Sequence, residues 1–113
     1  MTPMYTYRAI VRRIVDGDTI DCDVDMGFRA WRMNERFRLA GINAPEVRGP
    51  ERDAGKASKA FVESMIRPGD EVTIVTARDP DNFGRWIATI YSGGKSVNDA
   101  LVEKGYAVYK AYK

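Results

Sequence analysis

Histidine is absent from the 113 residues, and cysteine occurs once, as Cys22. A lone cysteine rules out an intramolecular disulfide framework. With no imidazole and one thiol, a zinc site lacks its usual protein ligands. Any general base must then be a carboxylate, a lysine or a tyrosine. Long apolar runs are missing too: no stretch approaches the ~20 residues that cross a bilayer as a helix. The first fifteen residues carry Arg8, Arg12 and Arg13 and no apolar core of signal-peptide type. The sequence therefore predicts a cytoplasmic protein as it stands, or a secreted one if a leader has been removed, and no membrane partner. Net charge is also small. Eighteen Lys+Arg against 16 Asp+Glu leave +2, which alone does not point to nucleic acid. The kind of cation says more: arginine is prominent from Arg29 to Arg52, and a guanidinium suits bidentate phosphate contacts.

The length fits one domain over residues 1–113 with a modest core. Tyr5 to Ile14 is rich in aromatic and β-branched residues and predicts a strand. Asp16-Gly17-Asp18 is a turn signal. From Thr19 to Val24 the chain alternates, with Ile20, Cys22 and Val24 on one face and Asp21 and Asp23 on the other. That period predicts a half-buried strand paired to the first as a hairpin. A third strand starts near Trp31 and is clearest from Glu35 to Ala40, where Phe37 and Leu39 share one face and Arg36 and Arg38 the other. Gly41 to Arg52 reads as a loop. Asp53 is an expected N-cap, and Ala57, Ala60, Phe61 and Met65 follow helical spacing to about Ile66. Strands are expected over Glu71 to Ala77 and Trp86 to Tyr91, the second apolar enough to be covered on both faces. Ser92-Gly93-Gly94-Lys95 is a hairpin-like turn. Ser96 and Asp99 fit a capping box ahead of a short helix that buries Val97, Ala100 and Leu101, with Gly105 as its C′ residue. Three strands, a helix, two strands and a helix suit an α+β arrangement, mainly β: a small closed barrel with two packed helices.

Three motifs carry the chemistry: Val15-Asp16-Gly17-Asp18-Thr19, then Arg38-Leu39-Ala40-Gly41-Ile42-Asn43-Ala44-Pro45-Glu46, then Gly84-Arg85 with Val97-Asn98 and Leu101-Val102 after it. Asp18, the Asn43 carboxamide and a nearby main-chain carbonyl can offer a hard cation the oxygen ligands it takes. Glu46 can accept a proton from water. Arg38 and Arg85 can meet charge on a phosphoryl group. In this order and spacing the chain resembles the staphylococcal nuclease (thermonuclease) family, from about Tyr7 to Ala107. Each motif alone is weak; together in one short chain they are specific.

The resemblance implies a five-stranded OB-fold-type barrel. It also implies a calcium-dependent phosphodiesterase that cleaves DNA and/or RNA, single-stranded or unpaired, to 3′-phosphate ends, here as an expected monomer. By position, Asp18 matches the calcium-ligating aspartate and Asp16 a carboxylate that supports the site through water. Asn43 stands where the family usually has a second ligand aspartate. Ala44 matches the residue offering its backbone carbonyl, and Glu46 the proposed base. Arg38 and Arg85 match the arginines on the scissile phosphate. Two departures follow. Asn43 brings an oxygen without a charge, and Phe83 stands where relatives can carry a tyrosine, so a phenolic contact to a terminal phosphate would be lost. The alternative is a nuclease-like module that binds nucleic acid or protein without cutting. Taken singly, the parts have plainer readings: Asp16-Gly17-Asp18 as a turn, Arg38 as a strand residue, Glu46 and Arg85 as solvated loop residues. Cys22 reads as a small core residue, and Trp31 and Trp86 as core or barrel-edge residues. Tyr106, Tyr109 and Tyr112, with Lys104, Lys110 and Lys113, fit base and phosphate contacts and a packed terminal segment equally well.

Overall fold

A computed structural model of the chain describes residues 5–110. Tyr112 and Lys113 of the terminal segment lie outside them. In chain order the elements are β1 (Thr6–Asp16), β2 (Thr19–Asp25), β3 (Trp31–Leu39), the two-residue β4 (Ile42–Asn43), a 3-10 turn (Gly49–Glu51), α1 (Arg52–Met65), β5 (Glu71–Thr76), β6 (Trp86–Ser92), β7 (Lys95–Ser96), α2 (Val97–Glu103) and β8 (Val108–Tyr109).

The alternation in β2 does as expected on one face: Ile20, Cys22 and Val24 are buried in the core. The other face differs from the half-buried prediction, because Asp21 and Asp23 are buried as well. Neighbouring arginines cover them. Arg36 Nε lies 2.8 Å from Asp21 Oδ1, and Arg12 Nη1 lies 3.5 Å from Asp23 Oδ2. A buried carboxylate is tolerated when paired in this way. The Asp21 hydrogen bond, and then its charge, raise the pKa of Arg36.

β1 pairs antiparallel with both β2 and β5, β2 with β3, and β5 with β6. The parallel pairing of β3 with β6, Phe37 opposite Trp86 and Leu39 opposite Ala88, then closes five strands into a barrel. Its interior holds Val11, Ile20, Leu39, Ile74 and Ile90, among others, as an aliphatic core. This is the expected mainly-β, α+β barrel with two helices.

α2 follows the capping prediction closely. Ser96 Oγ accepts from Asp99 N at 3.1 Å. At the other end Gly105, at φ +82°, donates to Val102 O while Tyr106 N donates to Leu101 O, which is the Schellman pattern. α1 departs from expectation at both its start and its face. Its N-cap is Glu51, after a 3-10 turn, and Asp53 lies inside the first turn. Phe61 and Met65 pack against the core as expected, but Ala57 and Ala60 are exposed, and the fully buried stripe runs through Gly55, Ser58 and Val62. Alanine was a poor pointer because close approach, more than apolarity, sets this face. A Cβ on Gly55 would sit 1.9 Å from Glu46 O, and one on Gly17 would sit 2.7 Å from Ser58 Cβ. Among the described residues no helix is long and apolar enough to cross a membrane.

Candidate active site

The β1–β2 turn, the β3–β4 stretch and the loop before β6 meet in one cleft of about 760 Å³. Asp16, Asp18, Arg38, Asn43, Ala44, Glu46 and Arg85 all line it. The structure therefore gathers every residue that the sequence offered for catalysis or metal binding, although they come from segments far apart in the chain.

The barrel and α1 fix the floor. Asp18 O accepts from Leu39 N at 2.8 Å, tying the first turn to the end of β3. α1 packs Ser58 against Gly17 and Gly55 against the Glu46 carbonyl. Those two missing side chains set how near the carboxylate turn stands to the Glu46 loop. Ser58 Oγ also donates to Tyr106 O at 2.6 Å, so α1 is tied to the segment after α2 as well. Tyr106 stacks on Phe61 with ring centroids 4.8 Å apart, which settles that tyrosine as a packing residue; Tyr109 is exposed.

Asp18 is buried and heavily used. Its Oδ2 accepts from Ala44 N at 2.9 Å and its Oδ1 from Thr19 Oγ1 at 3.1 Å. Asp16 Oδ1 accepts from Val47 N at 3.3 Å, which draws the residue after Glu46 toward the turn. Arg38 bridges the two sides. Its Nη1 lies 3.1 Å from Asp18 Oδ2 and 3.1 Å from Ile42 O, and its Nη2 donates to Asn43 Oδ1 at 3.0 Å. The Asp18 and Asn43 oxygens thus converge on a single positive group. Such a pair of oxygens suits a hard cation. Among the described residues no three Cys, His, Asp or Glu side chains gather closely enough to hold a metal by themselves. An ion here would need the Asn43 carboxamide and main-chain oxygens as well.

Arg85 lines the same cleft from the loop before β6. Its Nη2 and Nε lie 2.8 Å from Asp81 Oδ2, while Asp81 Oδ1 accepts from the backbone N–H groups of Phe83 and Arg85. Burial works against the charge of Asp81, but the hydrogen bonds from Arg85 and Phe83 outweigh it and hold the carboxyl below the usual carboxylate range. Gly84, at φ +74°, makes the tight loop possible. Phe83 is 82% exposed, with the Arg85 guanidinium carbon 5.2 Å from its ring centre.

Sequence reasoning gave no role to four residues that shape the cleft: Thr19, Gly55, Asp81 and Asn98. Asn98 is buried. Its Nδ2 donates to Ala40 O at 2.9 Å and to Ala88 O at 3.2 Å, and its Oδ1 accepts from Ile90 N at 3.2 Å. It fastens the strand end beyond Arg38 to β6. Only its place in a motif near α2 hinted at this. Lys110 also lines the cleft, and its backbone N donates to Gly41 O at 2.8 Å.

Five carboxylates and four basic side chains line the cleft in all: Asp16, Asp18, Glu35, Glu46 and Glu51 against Arg36, Arg38, Arg85 and Lys110. A phosphate entering this balance would gain from a further cation.

Comparison with known proteins agrees with the geometry. Residues 36–113 match the profile described as Staphylococcal nuclease homologue. The thermonuclease of Staphylococcus intermedius is 33% identical over 107 residues, covering 91% of this chain and 60% of that protein. The micrococcal nuclease of Shigella flexneri is 33% identical over 116 residues, covering 94% of this chain and 60% of that protein. Endonuclease YhcR of Bacillus subtilis is 32% identical over 111 residues, 89% of this chain but 9% of that much longer protein. The chain thus spans less than two thirds of these relatives' own lengths. With the barrel, the gathered cleft and the matched profile in agreement, the chain belongs to the staphylococcal nuclease homologue family.

Proposed function

We propose that the chain is a calcium-dependent phosphodiesterase that hydrolyses DNA and/or RNA to 3′-phosphate ends. One observation carries the reading: the Asp18 and Asn43 oxygens converge on Arg38 in a cleft that Glu46 and Arg85 share. Asp18, Asn43 and the Ala44 carbonyl would hold the ion, with Asp16 supporting them through water. When bound, calcium supplies Lewis acidity toward a phosphoryl oxygen.

The chain's own groups do the rest. Glu46 takes a proton from the attacking water or orients it. Arg38 exchanges its contacts with Asp18 and Asn43 for the scissile phosphate, and Arg85 exchanges Asp81 for the same group. Both guanidiniums then stabilise the charge that builds on the equatorial oxygens. Neither is a proton donor, since arginine stays charged at any working pH. Water protonates the leaving oxygen.

The test is cleavage of single-stranded DNA with calcium or with chelator. Glu46→Gln is expected to reduce calcium-dependent cutting by roughly 10²–10⁴-fold, the usual contribution of a general base, while strand binding persists. Full activity in that variant would remove Glu46 from the chemistry. A second reading, a module that binds without cutting, is favoured by the uncharged Asn43 and by the pairing of both arginines with aspartates. Binding with no cutting at any calcium concentration would select it.

A further inference from the structure

The cleft does not end at its arginines. Glu35 and Trp86 line it on one side and line a second pocket on the other, at the mouth of the barrel. Tyr7, Phe37 and Met26 wall that second pocket, and Arg32 stands at its rim. Its volume is about 200 Å³, below the ~300–1,000 Å³ of sites for drug-sized ligands. It has room for one flat ring system.

Strand register explains why the two spaces adjoin. Trp86 opens β6 directly after Arg85 of the cleft, and it lies opposite Phe37, next to Arg38, where β3 and β6 close the barrel. The barrel-edge placement expected of Trp86 leaves the ring half-buried, between the two spaces. The Arg32 guanidinium carbon lies 5.8 Å from the Trp86 ring centre, and Arg32 Nε donates to Glu35 Oε1 at 3.0 Å. The rim therefore combines an aromatic ring, a planar cation and a carboxylate. A nucleobase has a π-face for the ring and the guanidinium. Some bases also carry amino groups that a carboxylate can accept from. A phosphate does not suit a rim where Glu35 already offsets Arg32.

We infer that this barrel-mouth pocket receives a nucleobase of the strand whose phosphodiester is held in the cleft. The inference rests on the proposed reading of the cleft as a phosphodiester site. A base enters the pocket only when it leaves its stack and its partner, which a duplex resists. The pocket thus selects unpaired strands by shape and stacking.

The test compares three ligands of equal length: a single-stranded DNA, its duplex, and a fully abasic single strand. Affinity is read by fluorescence anisotropy in chelator, and cutting is read separately in calcium. The wild-type chain is expected to bind the single strand at least about fivefold more tightly than the abasic strand, the lower end of what stacking one base on an aromatic ring contributes. The duplex should bind weakly. Trp86→Ala should lose that discrimination, Trp86→Phe should restore most of it, and Arg32→Ala, on the exposed rim, should reduce it without the unfolding risk of a barrel change. Loss in Trp86→Ala counts only where thermal melting shows a folded variant; if Trp86→Ala does not fold, Arg32→Ala carries the test. Equal affinity for normal and abasic strands, or unchanged discrimination in Arg32→Ala and a folded Trp86→Ala, overturns the inference. Calcium-dependent cutting without discrimination keeps the nuclease reading and removes the pocket. Discrimination without cutting does the reverse.

Discussion

Arg38 occupies the oxygens that the proposed ion would use. Its guanidinium touches both Asp18 and Asn43, so a divalent cation at those oxygens competes with a resident one. Arg38→Ala is accordingly expected to tighten calcium binding, measured by titration calorimetry, while cutting falls by roughly 10²–10³-fold, the usual loss of a group that meets transition-state charge. Weaker calcium binding in that variant would mean that Arg38 organises the oxygens and does not compete for them. Asn43→Asp approaches the same balance from the other side. It adds a charge beside Asp18, and the calcium concentration for half-maximal activity should fall by about tenfold or more; an unchanged value would remove Asn43 from the ligand set. The side chains of this site are legible in the sequence because carboxylates, a carboxamide and guanidiniums declare their chemistry by type. Their partners are not legible. That Arg85 leans on Asp81 depends on a loop turned by Gly84, and that Arg38 reaches Ile42 O depends on how β3 bends into β4.

Among the elements, α1 shows where periodicity misleads. Its buried stripe is set by Gly55 and Ser58, small residues that hydrophobicity does not mark, and so the alanines mislead about its face. The consequence is measurable at Gly55. Alanine there gains up to ~1 kcal/mol in helix propensity, but its Cβ would meet the backbone of Glu46 and Val47 at 1.9 to 2.6 Å. Backbone cannot rotate away as a side-chain tip can, so overpacking of about 1–3 kcal/mol wins. Gly55→Ala is predicted to lower the urea midpoint and to reduce cutting together, because the displaced segment carries Glu46. Rising stability in Gly55→Ala would show that the helix can withdraw at no cost. The strands are a different case. β1, β2 and β3 are readable from their alternation and turns, whereas the two-residue pairing of β4 with β8 is too short for any period to announce.

At the scale of the whole molecule, what escapes the sequence is closure. Nothing in β3 or β6 read separately says that they pair in parallel, and that pairing makes a barrel of a curved sheet and brings Arg38 and Arg85 to one cleft. The buried interior it creates affects stability through Cys22. Burial first, then the nearby Asp21 and Asp23, push its thiol pKa up to about 12 from an ordinary value of 9.0. The folded state thus holds the thiol proton more tightly than the unfolded chain does. Stability from this source is complete below pH 9 and is lost as pH rises from there toward 12, by at most ~1.4 kcal/mol per pH unit for one proton. Urea midpoints measured across that range should fall less steeply in Cys22→Ala than in the parent chain; parallel curves would exclude the thiol as a source. The pairing of Asn43 with Val108 also acts on the order of events in time. Synthesis runs from the N-terminus, and β8 is the last of the described elements to be made. While a ribosome is still holding β8, the Asn43 edge has no partner strand and Lys110 has not joined the cleft. A chain with the proposed activity would therefore complete its cutting site only once the segment through Lys110 has left the ribosome.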